Sequence, residues 1–271
     1  GGYLNYYYWG QFIVATLIRA TSLDPAVAFN LAVPLFFALT VASAYAIVYN
    51  LAEATRRRVR GGRATPVAGE LATRRSEGPG LAWSPVVAGL GAAVFVTVLG
   101  NLDGAIQVGE GVWRVLVEDL PFGGFDFWRS SRMMPPDPPG FEITEFPFFT
   151  FLFADLHAHM MSLPFALLSL GLALTLVAGA IQSPVRRWGT DPGEVARLAV
   201  LGLAVGSLRV LNTWDLPVYL AIGVGSVFLA ELVRHGGAGL AMMIRAVGRS
   251  LLVFAVGYIA YLPFHLNYET F

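Results

Sequence analysis

The chain has 271 residues, of which 56% are hydrophobic and only 13% are charged. Soluble domains typically carry about 25% charged residues, so this composition excludes an ordinary soluble protein and indicates a membrane protein. The formal net charge is zero, which gives no support for a nucleic-acid partner. The chain contains no cysteine, which excludes disulfides, thiolate catalysis and zinc–thiolate sites.

The first elements lie in residues 1–25, which we interpret as the end of an extracytoplasmic loop. Consecutive aromatic side chains in Asn-Tyr-Tyr-Tyr-Trp, residues 5–9, are typical of the headgroup region of a membrane, but rings and hydroxyls also suit a sugar or a lipid phosphate. Residues 11–20 are apolar and too short to cross a bilayer, which predicts an interfacial helix. Asp24 and Pro25 are a start signal for the next helix.

Six apolar stretches approach the roughly 20 residues that a transmembrane helix needs. The fourth and sixth are short, so we expect flanking Arg, Tyr and His side chains to extend them to the interface. The predicted fold class is an all-α polytopic helical bundle, a single transmembrane domain over residues 1–271 and part of a longer protein. The stretches are residues 26–51, 83–100, 160–182, 196–211, 216–233 and 250–264.

The arginines predict the orientation of the spans. Residues 51–82 hold seven of them among Gly, Pro and Thr, as is typical of a flexible cytoplasmic loop under the positive-inside rule. By alternation, the loops with Arg187 and with Arg234, Arg245 and Arg249 fall on the same side. The sequence therefore predicts a multi-pass protein of the cell membrane whose motif-bearing loops are extracytoplasmic.

The longest predicted loop, residues 101–159, holds nine acidic residues against three arginines. Loops of this length are usually functional or form a folded cap. Glu145 is surrounded by phenylalanines, a setting that raises a carboxyl pKa toward general-base catalysis. Asp103, in Gly-Asn-Leu-Asp-Gly, is either a turn former or a further carboxylate of the same site. Glu145 and Asp103 are therefore candidate catalytic residues.

Asp155, His157 and His159 stand directly before an apolar run. On an extended segment, alternate positions share one side, so the three could hold a divalent metal with mixed N and O ligands. Pro164 predicts that the helix starts near Ser162 and leaves the triplet in a loop. The alternative is a capping Asp with two interfacial histidines.

Arg209, Asn212, Trp214 and Asp215 cluster at the predicted outer end of the fourth span. An ionisable side chain near a membrane span is costly and therefore a functional candidate, and an arginine there can bind a lipid phosphate. Asp215 precedes Leu216 and Pro217, which predicts a helix N-cap.

Four motifs together resemble the prokaryotic "YYY-motif" integral membrane proteins, a family of unknown function. The resemblance covers essentially the whole chain, with the motifs in the same order. They are Leu-Asn-Tyr-Tyr-Tyr-Trp-Gly at residues 4–10, Gly-Asn-Leu-Asp-Gly at 100–104, the segment from Glu-Phe-Pro-Phe-Phe at 145–149 to Asp-Leu-His-Ala-His at 155–159, and Leu-Arg-Val-Leu-Asn-Thr-Trp-Asp-Leu-Pro at 208–217.

That family looks similar to the C-class glycosyltransferases, which take sugars from polyprenyl-phosphate carriers at the outer membrane face. The resemblance implies Glu145, Asp155 or Asp103 as catalytic acid or base, and Arg209 on the carrier phosphate. Asn5, Tyr6, Tyr7, Asn212, Trp214 and Asp215 would contact the substrate. A divalent metal, Mg²⁺ or Mn²⁺ ahead of Zn²⁺, would be held by Asp155, His157 and His159. Upstream segments of the family's pattern, with an acidic residue, are not part of this sequence.

Three alternatives remain beside a glycosyltransferase. A transporter or lipid-binding scaffold would carry polar groups at mid-membrane, and the span interiors are nearly free of ionisable residues, which disfavours ion-coupled transport. A structural assembly subunit would pack its outer motifs against a partner. A metal-dependent hydrolase of lipid-linked substrates would share the Asp155, His157 and His159 site.

Overall fold

The computed structural model describes residues 6–61, 84–99, 102–131, 146–182 and 192–269. Every regular element within these ranges is helical, as the composition and apolar stretches predict. In chain order the α-helices are α1 (Trp9–Thr21), α2 (Pro25–Gly61), α3 (Pro85–Thr97), α4 (Asp103–Leu116), α5 (Pro147–Phe153), α6 (Ala158–Gln182), α7 (Pro192–Leu211), α8 (Leu216–His235), α9 (Leu240–Ala260) and α10 (Leu262–Asn267).

Four segments in the described ranges are long and apolar enough to cross a membrane: Pro25–Arg57, Ala158–Gln182, Thr213–His235 and Leu240–Ala260. Helix α3 is apolar but has only 13 residues, which at about 1.5 Å per residue is shorter than the roughly 30 Å of a bilayer core. Helix α7 has 20 residues and carries Glu194, Arg197 and Arg209. The total of about six spans stays a prediction.

The chain divides into two compact units, and the first comprises residues 1–39 and 154–271. In it α6 packs against α7 and α8, and α9 packs against the same two helices, which makes a four-helix bundle. Its apolar core includes Leu176, Leu201, Val205, Val227 and Val253. Helix α1 packs on α6 and α7, so the predicted helix over residues 11–20 is present.

Contacts along the bundle fix the direction of its helices. Gly202 and Gly206 of α7 lie against Val253 and Gly257 of α9 in the same order, so α7 and α9 run parallel. Ser162, near the start of α6, donates a hydrogen bond to Asp215, just before α8. One end of the bundle therefore gathers the starts of α6 and α8 with the ends of α7 and α9.

The second unit comprises residues 40–153. It contains α2 from residue 40 onward, whose earlier residues belong to the first unit, together with α3, α4 and α5. The tyrosine ring and backbone of Tyr45 in α2 lie against Gly89 of α3, and α3 packs on α5. Within the predicted long loop, the structure thus contains the helices α4 and α5. The prediction of one transmembrane domain over residues 1–271 is not decided by this division.

The predicted cytoplasmic loop over residues 51–82 begins too early, since α2 continues to Gly61. The helix continues because residues 51–58 contain no Gly or Pro, and Glu53 accepts a hydrogen bond at 2.8 Å from Arg57 one turn later. Residues 62–83 lie outside the described residues.

The predicted sixth span, residues 250–264, is also misplaced. Helix α9 begins at Leu240 and ends at Ala260, and α10 follows. Arg245 and Arg249 lie on α9 rather than in a loop, because they form ion pairs with acidic residues of neighbouring helices. Pro263, which has no backbone N–H, lies in the first turn of α10, where that donor is not needed.

Candidate functional site

Most of the predicted site residues in the first unit meet at one end of the bundle, which we call the motif end. It comprises residues 6–9, 155–159, 209–215 and 264–268, at the starts of α6 and α8 and the ends of α7 and α9. Gln11 of α1 donates a hydrogen bond at 3.2 Å to the backbone oxygen of Leu156. This bond joins the helix that follows the tyrosine run to the histidine segment.

The tyrosine run packs on aromatic side chains from the end of the chain. The Tyr7 ring stacks on the Tyr268 ring, with centroids 5.9 Å apart. It also contacts the Tyr6 ring in a tilted arrangement, with centroids 5.2 Å apart. The centroids of the Tyr8 and Phe264 rings lie 5.7 Å apart. The tyrosines therefore form part of a local aromatic cluster, whether or not they also contact a membrane.

Arg209 lies at the last turn of α7 beside that cluster. Its guanidinium carbon lies 5.2 Å from the centroid of the Tyr268 ring and 5.9 Å from that of Phe264, and Nη1 donates to Thr213 Oγ1 at 2.6 Å. No carboxylate in the described ranges forms an ion pair with it. Arg209 is thus a half-buried cation held by π-faces and one hydroxyl, which leaves other N–H groups for an anion.

Two titratable groups beside Arg209 are uncharged at neutral pH. Burial, and secondarily the charge of Arg209, lower the pKa of His265, so its imidazole is neutral at pH 7. Burial, followed by the hydrogen bond with Tyr7, raises the pKa of Tyr268, which keeps this phenol protonated. Neither group therefore offers Arg209 a compensating negative charge.

Asp215 connects two helices instead of capping α8. Its Oδ2 accepts hydrogen bonds from Ser162 Oγ at 2.6 Å and from Asn212 Nδ2 at 3.1 Å, and its side chain makes no capping bond to α8. Asp215 therefore lies at the predicted N-cap position of α8, but its carboxylate accepts from the buried hydroxyl of Ser162 and not from a backbone N–H of that helix. Trp214 points away from the protein and is 82% exposed.

Asp155 and His157 form a hydrogen-bonded pair, with Oδ2 and Nδ1 3.0 Å apart. Both precede α6, whereas His159 lies in its first turn. The prediction that the helix starts near Ser162 is thus four residues late: Met161 N already donates to His157 O at 3.1 Å, so helical bonding begins before Pro164. The bond to Asp155 leaves His157 Nε2 as the outward nitrogen.

Two of the predicted metal ligands, Asp155 and His157, are hydrogen-bonded to each other. The rings of His157 and His159 have centroids 5.1 Å apart, and no group of three His, Asp or Glu side chains in the described part of the chain is arranged to hold a metal ion. A divalent metal on Asp155, His157 and His159 stays a prediction.

The remaining predicted residues lie elsewhere. Asp103 is in the second unit, in the first turn of α4, where it is buried and forms an ion pair with Arg129 at 2.9 Å. It is thus part of a folded helix. Asn5 and Glu145 lie outside the described residues.

Sequence reasoning missed a charged cluster at the other end of the bundle, which we call the arginine cluster: Glu194, Glu231, Arg234, Arg245 and Arg249. Glu231 is fully buried; its Oε1 accepts from Arg234 at 2.9 Å and also from Arg249. Arg249 Nη2 donates to Glu194 Oε2 at 3.0 Å. The expectation of span interiors nearly free of ionisable groups is therefore corrected at Glu231, whose position inside an apolar stretch was the available signal.

A pair of glycines in α7 was missed as well. A Cβ at Gly202 would lie 2.6 Å from the backbone oxygen of Val253, and one at Gly206 would lie 2.5 Å from that of Gly257. Spacing of four residues between glycines in an apolar helix is the GxxxG pattern of close helix packing. This pattern could have predicted the contact between α7 and another helix, although not that the partner is α9.

Residues 1–271 match the model of a family described as uncharacterized membrane protein, DUF2298. No curated protein and no solved structure matches the chain. The predicted membrane location and a membrane family of unknown function are therefore confirmed, while the sidedness of the loops and the likeness to glycosyltransferases stay predictions.

Proposed function

The chain belongs to the DUF2298 family of uncharacterized membrane proteins, and we propose that it is a glycosyltransferase that uses a polyprenyl-phosphate-linked sugar at the extracytoplasmic membrane face. One observation carries this proposal: Arg209 is a half-buried cation without a carboxylate partner among the described residues. It is the kind of group that a phosphate carried by a membrane lipid needs.

Arg209 is suited to a phosphate by its surroundings. Rings of Tyr268 and Phe264 and the Thr213 hydroxyl restrain the guanidinium, so little side-chain entropy is lost when an anion binds. A guanidinium presents paired N–H donors that match phosphate oxygens. The adjacent aromatic cluster with Tyr6 and Tyr7 offers rings and hydroxyls to a sugar or a prenyl chain.

The pair of Asp155 and His157 supplies the acid–base chemistry in this proposal. Asp155 orients the imidazole through Nδ1, and His157 Nε2 takes a proton from the acceptor hydroxyl. The hydroxyl oxygen then bonds to the anomeric carbon of the donor as the bond from that carbon to the phosphate oxygen breaks. The electron pair stays on the carrier phosphate, whose added charge Arg209 stabilises.

A second candidate is a lipid-phosphate-binding protein without turnover, because the same uncompensated guanidinium of Arg209 suits binding alone. The two candidates differ in one measurable respect. A transferase releases the carrier phosphate, whereas a binding protein only saturates with the lipid. Both predict a membrane-lipid ligand, and neither predicts an oligomeric state.

Arg209→Gln is expected to lower sugar transfer by about 100-fold, since one lost charge-stabilising donor typically costs that much. The assay incubates the full-length protein with polyprenyl-phosphate sugars and follows release of the carrier phosphate. Arg19→Gln, on the exposed last turn of α1, is the matched control and should keep full turnover. Saturable lipid binding without turnover in the unchanged protein would favour the second candidate, and equal turnover of both variants would remove Arg209 from the mechanism.

His157→Ala and Asp155→Asn are expected to act as one unit. Each should lower the turnover number by about 100-fold or more, and the double variant should lose little beyond the stronger single variant. Asp119→Asn, an exposed residue in the second unit, serves as the control. Additive losses would show that the hydrogen bond between Asp155 and His157 is not used in catalysis.

A further inference from the structure

Helix α4 of the second unit has its polar side turned inward. Its residues of lowest exposure are Asp103, Gly104, Gln107 and Gly111, which recur at helical spacing and share one face. In a water-soluble helix this buried face would be the apolar one. The distribution of side chains on α4 is therefore inverted.

The inward face is occupied by the loop that follows α4. Gln107 Nε2 donates to Asp103 Oδ2 at 2.8 Å and to the backbone oxygen of Asp126 at 2.9 Å, and Gln107 Oε1 accepts from Asp126 N at 2.8 Å. Arg129 pairs with Asp103 and with Glu110, both at 2.9 Å. Asp103 and Gln107 are buried within this network, whereas Arg129 and Glu110 stay partly exposed. Rotating α4 to expose the two buried side chains would break these bonds.

The glycines of the inward face allow aromatic rings to approach the helix. A Cβ at Gly111 would lie 2.6 Å from the Phe122 ring, and one at Gly104 would lie 2.9 Å from the Phe148 ring. The register of α4 on its own unit is thus fixed by close packing as well as by hydrogen bonds. The opposite face cannot turn inward.

That opposite face is apolar and uncovered by its own unit. Ile106 is 51% exposed, Trp113 is 59% exposed and Leu116 is 77% exposed. These three residues lie on one broad side of the helix, which Val112 widens. Large side chains exposed as a group mark a surface that meets lipid or another protein.

The position of α4 in the chain favours lipid over another protein as the partner of this apolar face. Only five residues separate Thr97 at the end of α3 from Asp103, a connection that reaches about 20 Å at most. Helix α3 is apolar, exposes Leu90 and Phe95, and packs on the candidate span α2. Helix α4 therefore begins within a short reach of an apolar helix that lies against a candidate membrane span.

We propose that α4 is an in-plane membrane helix whose side with Ile106, Trp113 and Leu116 is embedded among lipids at the headgroup–acyl boundary. Its 14 residues extend about 21 Å, too short to cross the bilayer but typical of an interfacial helix. Trp113 is the residue type that anchors at this depth. The acidic and amide side chains inside the unit need no contact with lipid. This inference is independent of the proposed transferase activity.

These 271 residues contain no cysteine, so single cysteines introduced here can be labelled in the full-length protein, with any cysteine elsewhere in it replaced by serine, after reconstitution into phosphatidylcholine vesicles. Ile106→Cys, Trp113→Cys and Leu116→Cys are spin-labelled one at a time, and collisions with oxygen, which concentrates in lipid, are compared with those of a water-soluble nickel chelate. We expect oxygen to dominate at all three positions. Arg114→Cys, an exposed charged position of the same helix outside its apolar side, should favour the chelate, and Leu31→Cys on α2 is the lipid reference.

Two results would overturn the proposal. Dominant collisions with the nickel chelate at positions 113 and 116 would place this side of α4 in water. Low collision rates with both reagents would mean that protein covers it, either a partner or another part of the chain. Residual transferase or lipid-binding activity in the labelled variants is not needed to interpret either result.

Discussion

Replacing Glu231 by alanine is expected to cost the bundle about 3–5 kcal/mol of stability, the typical loss when one partner of a buried ion pair is removed. Glu231 is fully buried and lies among Arg234, Arg245 and Arg249. Without it, the three guanidiniums would lose this buried carboxylate, while Arg234 and Arg249 would keep their pairs with Glu194. The measurement is the midpoint of unfolding in detergent micelles, followed by circular dichroism.

The matched control is Glu53→Ala on α2, which removes an ion pair to Arg57 whose side chain is 79% exposed. Solvent-exposed pairs of this kind contribute little to stability, so its unfolding midpoint should hardly move. Glu231→Gln keeps the shape and removes the charge, and it should fall between alanine and the unchanged protein. Equal midpoints for the Glu231 and Glu53 variants would mean that the arginine cluster contributes nothing to holding α7, α8 and α9 together.

Gly206→Leu is expected to separate α7 from α9 and to destabilise the protein by at least the 1–3 kcal/mol typical of overpacking. A Cβ at this position would lie 2.5 Å from the backbone oxygen and 2.6 Å from the Cα of Gly257. Both atoms belong to the opposing backbone, so no side-chain rotation can relieve the clash. The relevant measurements are the unfolding midpoint and the fraction of protein that remains monodisperse after extraction.

Gly248→Ala on α9 is the control, because a Cβ there meets no atom within 4 Å. An alanine inside a helix is favoured over glycine by about 1 kcal/mol, so this variant should be as stable as the unchanged protein or more so. Gly206→Ala should already be destabilising, although less than leucine. If Gly206→Ala and Gly248→Ala behaved alike, the close approach of α7 and α9 would be contradicted.

Local patterns were sufficient for most helices. The start signal at Asp24 and Pro25 was correctly predicted, since Asp24 Oδ1 accepts hydrogen bonds from the N–H groups of Ala26 at 2.9 Å and of Val27 at 3.4 Å. The wrong boundary of α9 has a physical reason. Arg245 and Arg249 were assigned to a loop because charges are costly in a span, but the cost is offset by acidic partners that are distant in sequence.

For the candidate site too, the sequence indicated some features and only the structure showed the others. Arg209 was identified from its residue type and from its depth in an apolar stretch, and its lack of a carboxylate partner among the described residues could be learned only from the structure. The bond between Ser162 and Asp215 was not predictable, because Asp215 before Leu216 and Pro217 has the local pattern of a helix cap. Whether a carboxylate accepts from a backbone N–H of its own helix or from a side chain of another helix depends on which donor is buried beside it, and this is decided by the tertiary structure.

By itself, the sequence determined that this is an all-helical membrane protein with its polar motifs near helix ends, because hydropathy and residue type depend only on composition and spacing. Tertiary structure alone decided that Tyr7 stacks on Tyr268, that Glu231 is enclosed by arginines, and that α4 carries its polar face inward. These features join residues far apart in the chain. The free energy with which these contacts stabilise the fold depends on desolvation and close packing, which exist only once the helices are packed together.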